Sequence, residues 1–191
     1  TSNEHLVKLV DEFLDITRIE QGRTKFNFAD KNINNLVANT VKELVPRAKG
    51  KKLKIVWKPQ DNIKNIFLDE EKVRHVVFNF IDNAIKYTDE GIISVSSEVD
   101  GEGVAIRVKD HGIGFGKEDQ ANFFQKFYRG KNVEGVNVTG TGLGLYVCRK
   151  FIEAHGGHVW ARSKGMGKGG EFGFWIPFGQ KSSETANQNI K

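Results

Sequence analysis

Gly140-Thr141-Gly142-Leu143-Gly144-Leu145 runs straight into an apolar-periodic segment that stops at Gly156-Gly157. Alternating glycines ask for a turn with a free backbone, and the periodicity behind them predicts a helix over 143–155. A glycine loop opening a helix leaves main-chain N–H groups at the positive end of the helix dipole, a setting that suits an anionic group. Alone, such a repeat is weak and is a plain flexible turn in most chains. Its weight comes from two polar motifs upstream, Asn79-Phe80-Ile81-Asp82-Asn83-Ala84-Ile85-Lys86-Tyr87-Thr88 and Asp110-His111-Gly112-Ile113-Gly114. An asparagine-bearing helix, an Asp-Gly turn and a glycine loop, in this order, are parts of a nucleotide site.

A chain of 191 residues with 38% hydrophobic and 28% charged residues can bury one good core. Its apolar runs are too short to span a bilayer, and no signal-peptide pattern opens it. One cysteine, Cys148, excludes an internal disulfide framework; among Val147, Phe151 and Ile152 it reads as core. The net charge of +5 draws on Arg47, Lys49, Lys51, Lys52, Lys54 and Lys58. No aromatic-interleaved basic motif accompanies them, so they read as a solvated face and no nucleic acid is expected as a partner.

Leu6, Leu9, Phe13 and Ile16 keep a heptad-like spacing, widened by Val10 and Leu14, before Gly22 stops the helix. Its apolar face is too narrow for a core helix and asks for a second helix. After it, strands are expected at 25–29, 54–57, 65–68, 92–99, 104–108, 158–161 and 171–176. Asn34 is expected to cap one helix and Asp69 another, the latter carrying Val73, Val76, Val77, Phe80, Ile81 and Ala84. A further helix is expected over 122–127. Strands and helices do not alternate regularly, which predicts an α+β fold: a two-layer α/β sandwich, a mixed sheet covered on one face by helices, with an N-terminal helix. The divisions are 1–22, 23–178 and a polar tail at 179–191.

On the helix from Asp69, Asn79, Asn83 and Lys86 share one face at the border of the apolar stripe, since residues advance about 100° each. Amide oxygens there can hold a hard cation such as Mg²⁺, with nucleotide phosphates completing its octahedron, and Lys86 can add a compact positive charge. Without a nucleotide beside them, the same amides would simply satisfy backbone at a helix end. Asp110 ends a strand; its carboxylate only accepts, which suits the exocyclic amine of adenine and rejects the carbonyl of guanine. The bland alternative is an ordinary Asp-Gly turn. The glycine loop is no P-loop, and Leu145 stands where the dinucleotide fingerprint needs its third glycine.

Together these motifs resemble the N, G1, F and G2 boxes of sensor histidine kinases: Arg74 through Thr88, Asp110 through Gly114, Phe124-Gln125-Lys126-Phe127-Tyr128-Arg129, and Gly140 through Leu145. The resemblance covers roughly residues 4–177 and extends to gyrase-, chaperone- and mismatch-repair-type ATPases. It implies the histidine kinase/gyrase-type ATP-binding fold, with ATP and Mg²⁺ as cofactors. It assigns Mg²⁺ to Asn83 with Asn79 assisting, the phosphates to Lys86 and Tyr87, adenine to Asp110, and the terminal phosphate to Arg129. Gly112, Ile113 and Gly114, and Gly140, Thr141, Gly142, Leu143, Gly144 and Leu145, would line the ATP site, with Lys86 and Arg129 as the catalytic charges. Residues 130–139 resemble the ATP lid. Lys168 through Phe172 occupy the place of the final glycine box, where Glu171 departs from the usual small hydroxyl residue, so no ligand contact is assigned there.

The opening helix resembles the end of the second helix of the family's dimerisation hairpin. None of the histidines matches a phosphoacceptor, so the implied reaction transfers the γ-phosphoryl of ATP to a histidine on a hairpin outside this chain. The implied partners are that hairpin, a second copy in the full-length homodimer and a response-regulator receiver domain. The implied location is cytoplasmic, under a parent either membrane-anchored or soluble. Within the fold, ATPases of the gyrase or chaperone type and the serine-kinase regulators of sigma-factor antagonists are rivals; outside it, the rival is a degenerate domain that docks partners without kinase activity.

Overall fold

The structure is a computed structural model that describes residues 10, 13–14, 16–130 and 141–179. Expectations that rest on Leu6, Leu9, the lid at 131–139, Gly140 and the tail at 180–191 lie outside the described residues. After helical residues 16–20 come β1 (Phe28–Lys31), α1 (Ile33–Lys49), β2 (Leu53–Lys58), β3 (Ile66–Asp69) and α2 (Glu70–Tyr87). They are followed by β4 (Gly91–Asp100), β5 (Gly103–Lys109), α3 (Lys117–Asn122), α4 (Gly144–Ala154), β6 (His158–Arg162) and β7 (Glu171–Pro177).

Five strands form one sheet in the order β2-β4-β5-β7-β6, and β1 pairs with β3 in a separate ribbon. Only β2 and β4 run parallel, because α2 lies between them in the chain and a parallel return needs such a crossover. The other pairs are antiparallel, so the sheet is mixed, as expected. Its register aligns Val95, Val108, Phe172 and Ala161 on one face, and Ser94, Lys109, Glu171 and Arg162 on the other. Side chains alternate along a strand, so the first row joins the core under α1, α2 and α4 while the second stays polar. Cys148 is buried in that core.

Asp69 caps α2 as the sequence suggests: its Oδ1 accepts from the Lys72 N–H at 3.0 Å and its Oδ2 from the Asn27 N–H at 2.7 Å. Helix α1 departs from expectation. Its cap is Asn32, whose side chain accepts from the Asn35 N–H at 2.9 Å. Asn34 is drawn away instead, donating to the Gln60 carbonyl and accepting from the Ser97 hydroxyl. The helix expected over 122–127 is also corrected. Helix α3 ends at Asn122, and turns follow. Phe123 and Phe124 find their burial in a ring cluster with Phe115, Phe172 and Phe80, so their apolar character needs no helix.

The N-terminal helical residues use both sides. Ile16, 1% exposed, joins the main core, whereas Val10, Phe13 and Leu14 are exposed. Glu20 holds this segment down, accepting from Lys126 at 2.8 Å and from the Tyr146 hydroxyl at 3.4 Å.

Candidate nucleotide site

Helix α2 carries half of the site. Glu70 and Glu71 complement its dipole in the first turn, and Val73, Val76, Val77, Phe80, Ile81, Ala84 and Ile85 bury its inner stripe. Asn79 and Asn83 stand at the edge of that stripe, half-buried. The Asn83 amide donates through Nδ2 to Asn79 Oδ1 at 3.0 Å. Asn79 therefore fixes the orientation of Asn83 and leaves the Asn83 oxygen free to face a ligand. At the last turn Lys86 reaches Asp82 at 2.7 Å, and Lys51 donates to the carbonyls of Ile85 and Lys86, at 3.1 Å each, closing the helix end.

The Asp110 turn is stitched to that helix end. The Ile113 N–H donates to the Tyr87 carbonyl at 3.1 Å. A Cβ on Gly112 would come within 2.1 Å of the same oxygen, so only glycine lets the two backbones meet. Asp110, at the end of β5, is 7% exposed. Its Oδ1 accepts from the Gly112 N–H at 2.8 Å and from the Gly170 N–H at 3.2 Å, while no described residue donates to Oδ2. Burial pushes the carboxyl above its ordinary range, and the two N–H donors and nearby His111 oppose that push. The outcome is a carboxylate anchored by one oxygen with the other available to a donor.

Behind the turn lies a support absent from the sequence reading. Ser163 accepts from the Phe115 N–H at 3.3 Å and donates to the Gly169 carbonyl at 2.7 Å, tying the Asp110 loop to residues 163–170. The final glycine box thus acts on Asp110 through a main-chain N–H at Gly170. No side-chain pattern could have announced that role.

The third wall is the start of α4. Leu143 is buried, its N–H bonded to the Thr141 hydroxyl at 3.1 Å, and Leu145 packs against the core. A Cβ on Gly144 would stand 2.7 Å from the Asn79 amide nitrogen, so the glycine loop and the asparagine helix are in contact. Gly142 lies against the backbone of Phe127 and Tyr128. Tyr128 is moored by its hydroxyl to Asp119 at 2.9 Å, which sets the start of Arg129. Arg129 lies near enough to Tyr87 to draw its phenol downward, against the stronger upward push of burial.

The sequence-selected residues other than Gly140 therefore converge where the ends of α2 and β5 meet the start of α4. Ser163 and Gly170 belong with them and were not selected, because they act on Phe115 and Asp110, 48 and 60 positions away. For a metal, the donor set fits a hard cation. Among the described residues no group of three or more His, Cys, Asp or Glu could hold one alone, so amide oxygen from Asn83 would need phosphate oxygens beside it. Nor is any helix among the described residues long and apolar enough to cross a membrane.

Residues 68–180 match the family described as histidine kinase-, DNA gyrase B- and HSP90-like ATPases. The circadian input-output histidine kinase CikA of Synechococcus elongatus is 31% identical over 179 residues, which is 92% of this chain and 24% of that protein. The sensor histidine kinase WalK of Bacillus subtilis is 29% identical over 184 residues, 95% of this chain and 30% of that protein. The chain thus spans less than a third of the length of either relative. Among solved structures, full-length ShkA in complex with AMPPNP superposes with a TM-score of 0.82 at 30% identity, covering 95% of this chain and 38% of that one.

Proposed function

Because the chain belongs to the family of histidine kinase-, DNA gyrase B- and HSP90-like ATPases, we propose that it binds Mg-ATP between α2, the Asp110 turn and the start of α4, and delivers the γ-phosphoryl group to a histidine on a dimerisation hairpin. The chain is an ATP-binding catalytic domain of the histidine kinase type. Residues 1–22 are read as the end of that hairpin's second helix, followed by the nucleotide domain at 23–178. A second copy and a response-regulator receiver domain are the proposed partners, supported by relatives named as histidine kinases.

The observation that carries the reading is Asp110. Its Oδ1 is saturated by two backbone donors while Oδ2 remains open in a buried setting, which suits one exocyclic amine and disfavours a carbonyl. Asn83, oriented by Asn79, would hold Mg²⁺, which supplies neutralisation of the phosphate charge. Lys86 and Arg129 would complete that neutralisation. In the transfer, a histidine nitrogen bonds to the γ-phosphorus, the bond to the bridging oxygen breaks and ADP departs, with the imidazole proton going to solvent. Catalysis of this kind rests on positioning and charge, which is what these residues can offer.

Calorimetric titration with ATP, ADP and GTP, with and without Mg²⁺, tests the site. ATP and ADP should bind and GTP should not; equal affinities for ATP and GTP would remove Asp110 as the base-reading group. With γ-labelled ATP, the chain alone should acquire no acid-labile phosphate, and should label a hairpin supplied in trans, weakly for want of a covalent link.

A further inference from the structure

A buried carboxylate sits between two cations on the flank of α2. Asp82 is 4% exposed. Lys86 reaches its Oδ2 at 2.7 Å from the same helix, and Arg47 reaches its Oδ1 at 2.5 Å from the last turn of α1. Among the described residues, Oδ1 has that guanidinium as its charge partner and no hydrogen-bond donor besides it. Lys51, the next cation along, is occupied by the carbonyls of Ile85 and Lys86. The lysine that the site offers to phosphates is therefore already claimed by an anion.

An ammonium has three donors, but one that turns toward a phosphate gives up part of its hold on Asp82. When Lys86 turns toward a phosphate, Asp82 stays buried, and a buried charge that loses its partner is strongly unfavourable. Arg47 changes that balance. It belongs to another helix and its side chain is half exposed. We propose that Arg47 is a positioning residue for phosphate binding: by compensating Asp82 from the α1 side, it releases Lys86 to the phosphates. Asp82 in turn holds Lys86 at its resting place one turn along the helix. The inference rests on the reading of Lys86 as a phosphate-binding residue.

The test compares Mg-ATP with adenosine, which has no phosphate for Lys86 to reach. Arg47→Gln should weaken Mg-ATP binding roughly tenfold or more, as expected when a buried charge would lose both partners, and leave adenosine affinity unchanged in an NMR titration. Arg47→Lys should keep most of the affinity. In an Asp82→Asn background the Arg47→Gln change should have no further effect, because no buried charge remains to be compensated. Melting temperatures of each variant show that it is folded; if Asp82→Asn does not fold, the ATP-against-adenosine split in Arg47→Gln decides alone. An equal loss for both ligands, or a loss that persists beside Asp82→Asn, would overturn the proposal. A wild type that binds Mg-ATP with Arg47→Gln unaffected sinks only the role of Arg47, whereas a wild type that binds none sinks the site itself.

Discussion

Single atoms decide the chemistry at the residue scale. Asp110 carries two oxygens with separate duties, one spent on the Gly112 and Gly170 N–H groups and one left open. In Asp110→Asn the amide oxygen should keep the backbone donors, which turns a donor toward the amine of adenine. An unmet polar group in a buried site costs about 1–3 kcal/mol, so ATP affinity should fall about tenfold or more while the melting temperature barely moves. Calorimetry and a thermal melt on the same sample measure both; unchanged ATP affinity would place adenine elsewhere. The type of residue at 110 was legible in the sequence. Which oxygen is free was not, because Gly170 lies sixty positions away and contributes only backbone.

At the scale of elements, the site depends on how closely α4 approaches α2. Gly144 begins α4 without a positive φ, so alanine is sterically acceptable to its own backbone. In a helix, alanine is favoured over glycine by roughly 0.5–1 kcal/mol, so Gly144→Ala should melt no lower than wild type unless the clash intervenes. The new Cβ would meet the Asn79 amide at 2.7 Å, and that side chain can swing aside. It would then give up its bond to Asn83. The expected result is an intact fold whose magnesium-dependent stabilisation by ATP is much reduced, read by melts with and without Mg²⁺. If that stabilisation survives whole, the Asn79–Asn83 bond has no part in orienting the metal ligand. The same scale explains the errors of the sequence reading. Within its own segment Asn34 reads as a cap and the aromatic run after Asn122 as a helix, because a short-range pattern carries no tertiary partner. Their true partners, Ser97 and Gln60 for one and a ring cluster for the other, lie elsewhere in the fold.

Across the whole molecule, His155 joins elements that are remote in sequence. Its Nε2 accepts from the Asp69 N–H at 3.0 Å and its Nδ1 donates to the Phe151 carbonyl at 2.6 Å, with the rings of Phe26 and Phe28 around it. Both nitrogens are used by a neutral ring, and protonation would turn the Nε2 acceptor into a donor facing another donor. Burial lowers its pKa from 6.5, opposed by the Phe151 carbonyl and by Asp69. A folded value below the unfolded one means that the unfolded chain takes up the proton first as acid is added. Stability from this residue is therefore complete above pH 6.5 and declines as the pH falls through the lowered folded value. Melts recorded from neutral to mildly acidic pH should show that decline, and His155→Gln should flatten it; an equal slope in the variant would assign the acid sensitivity to another group.

By itself the sequence determined the periods and the punctuation. The apolar stripe of α2, the alternation in β5 and the glycines at 112 and 144 are local properties, since side-chain direction and backbone freedom are set within a few residues. Those were enough for the fold class and for the polar positions that converge on one site. The tertiary structure alone decided which groups meet: Gly170 with Asp110, Gly144 with Asn79, Arg47 with Asp82 and Ile16 with the main core. Each of these contacts joins segments whose separation along the chain carries no local signal, because they become neighbours only when burial of the shared apolar surface brings the layers together.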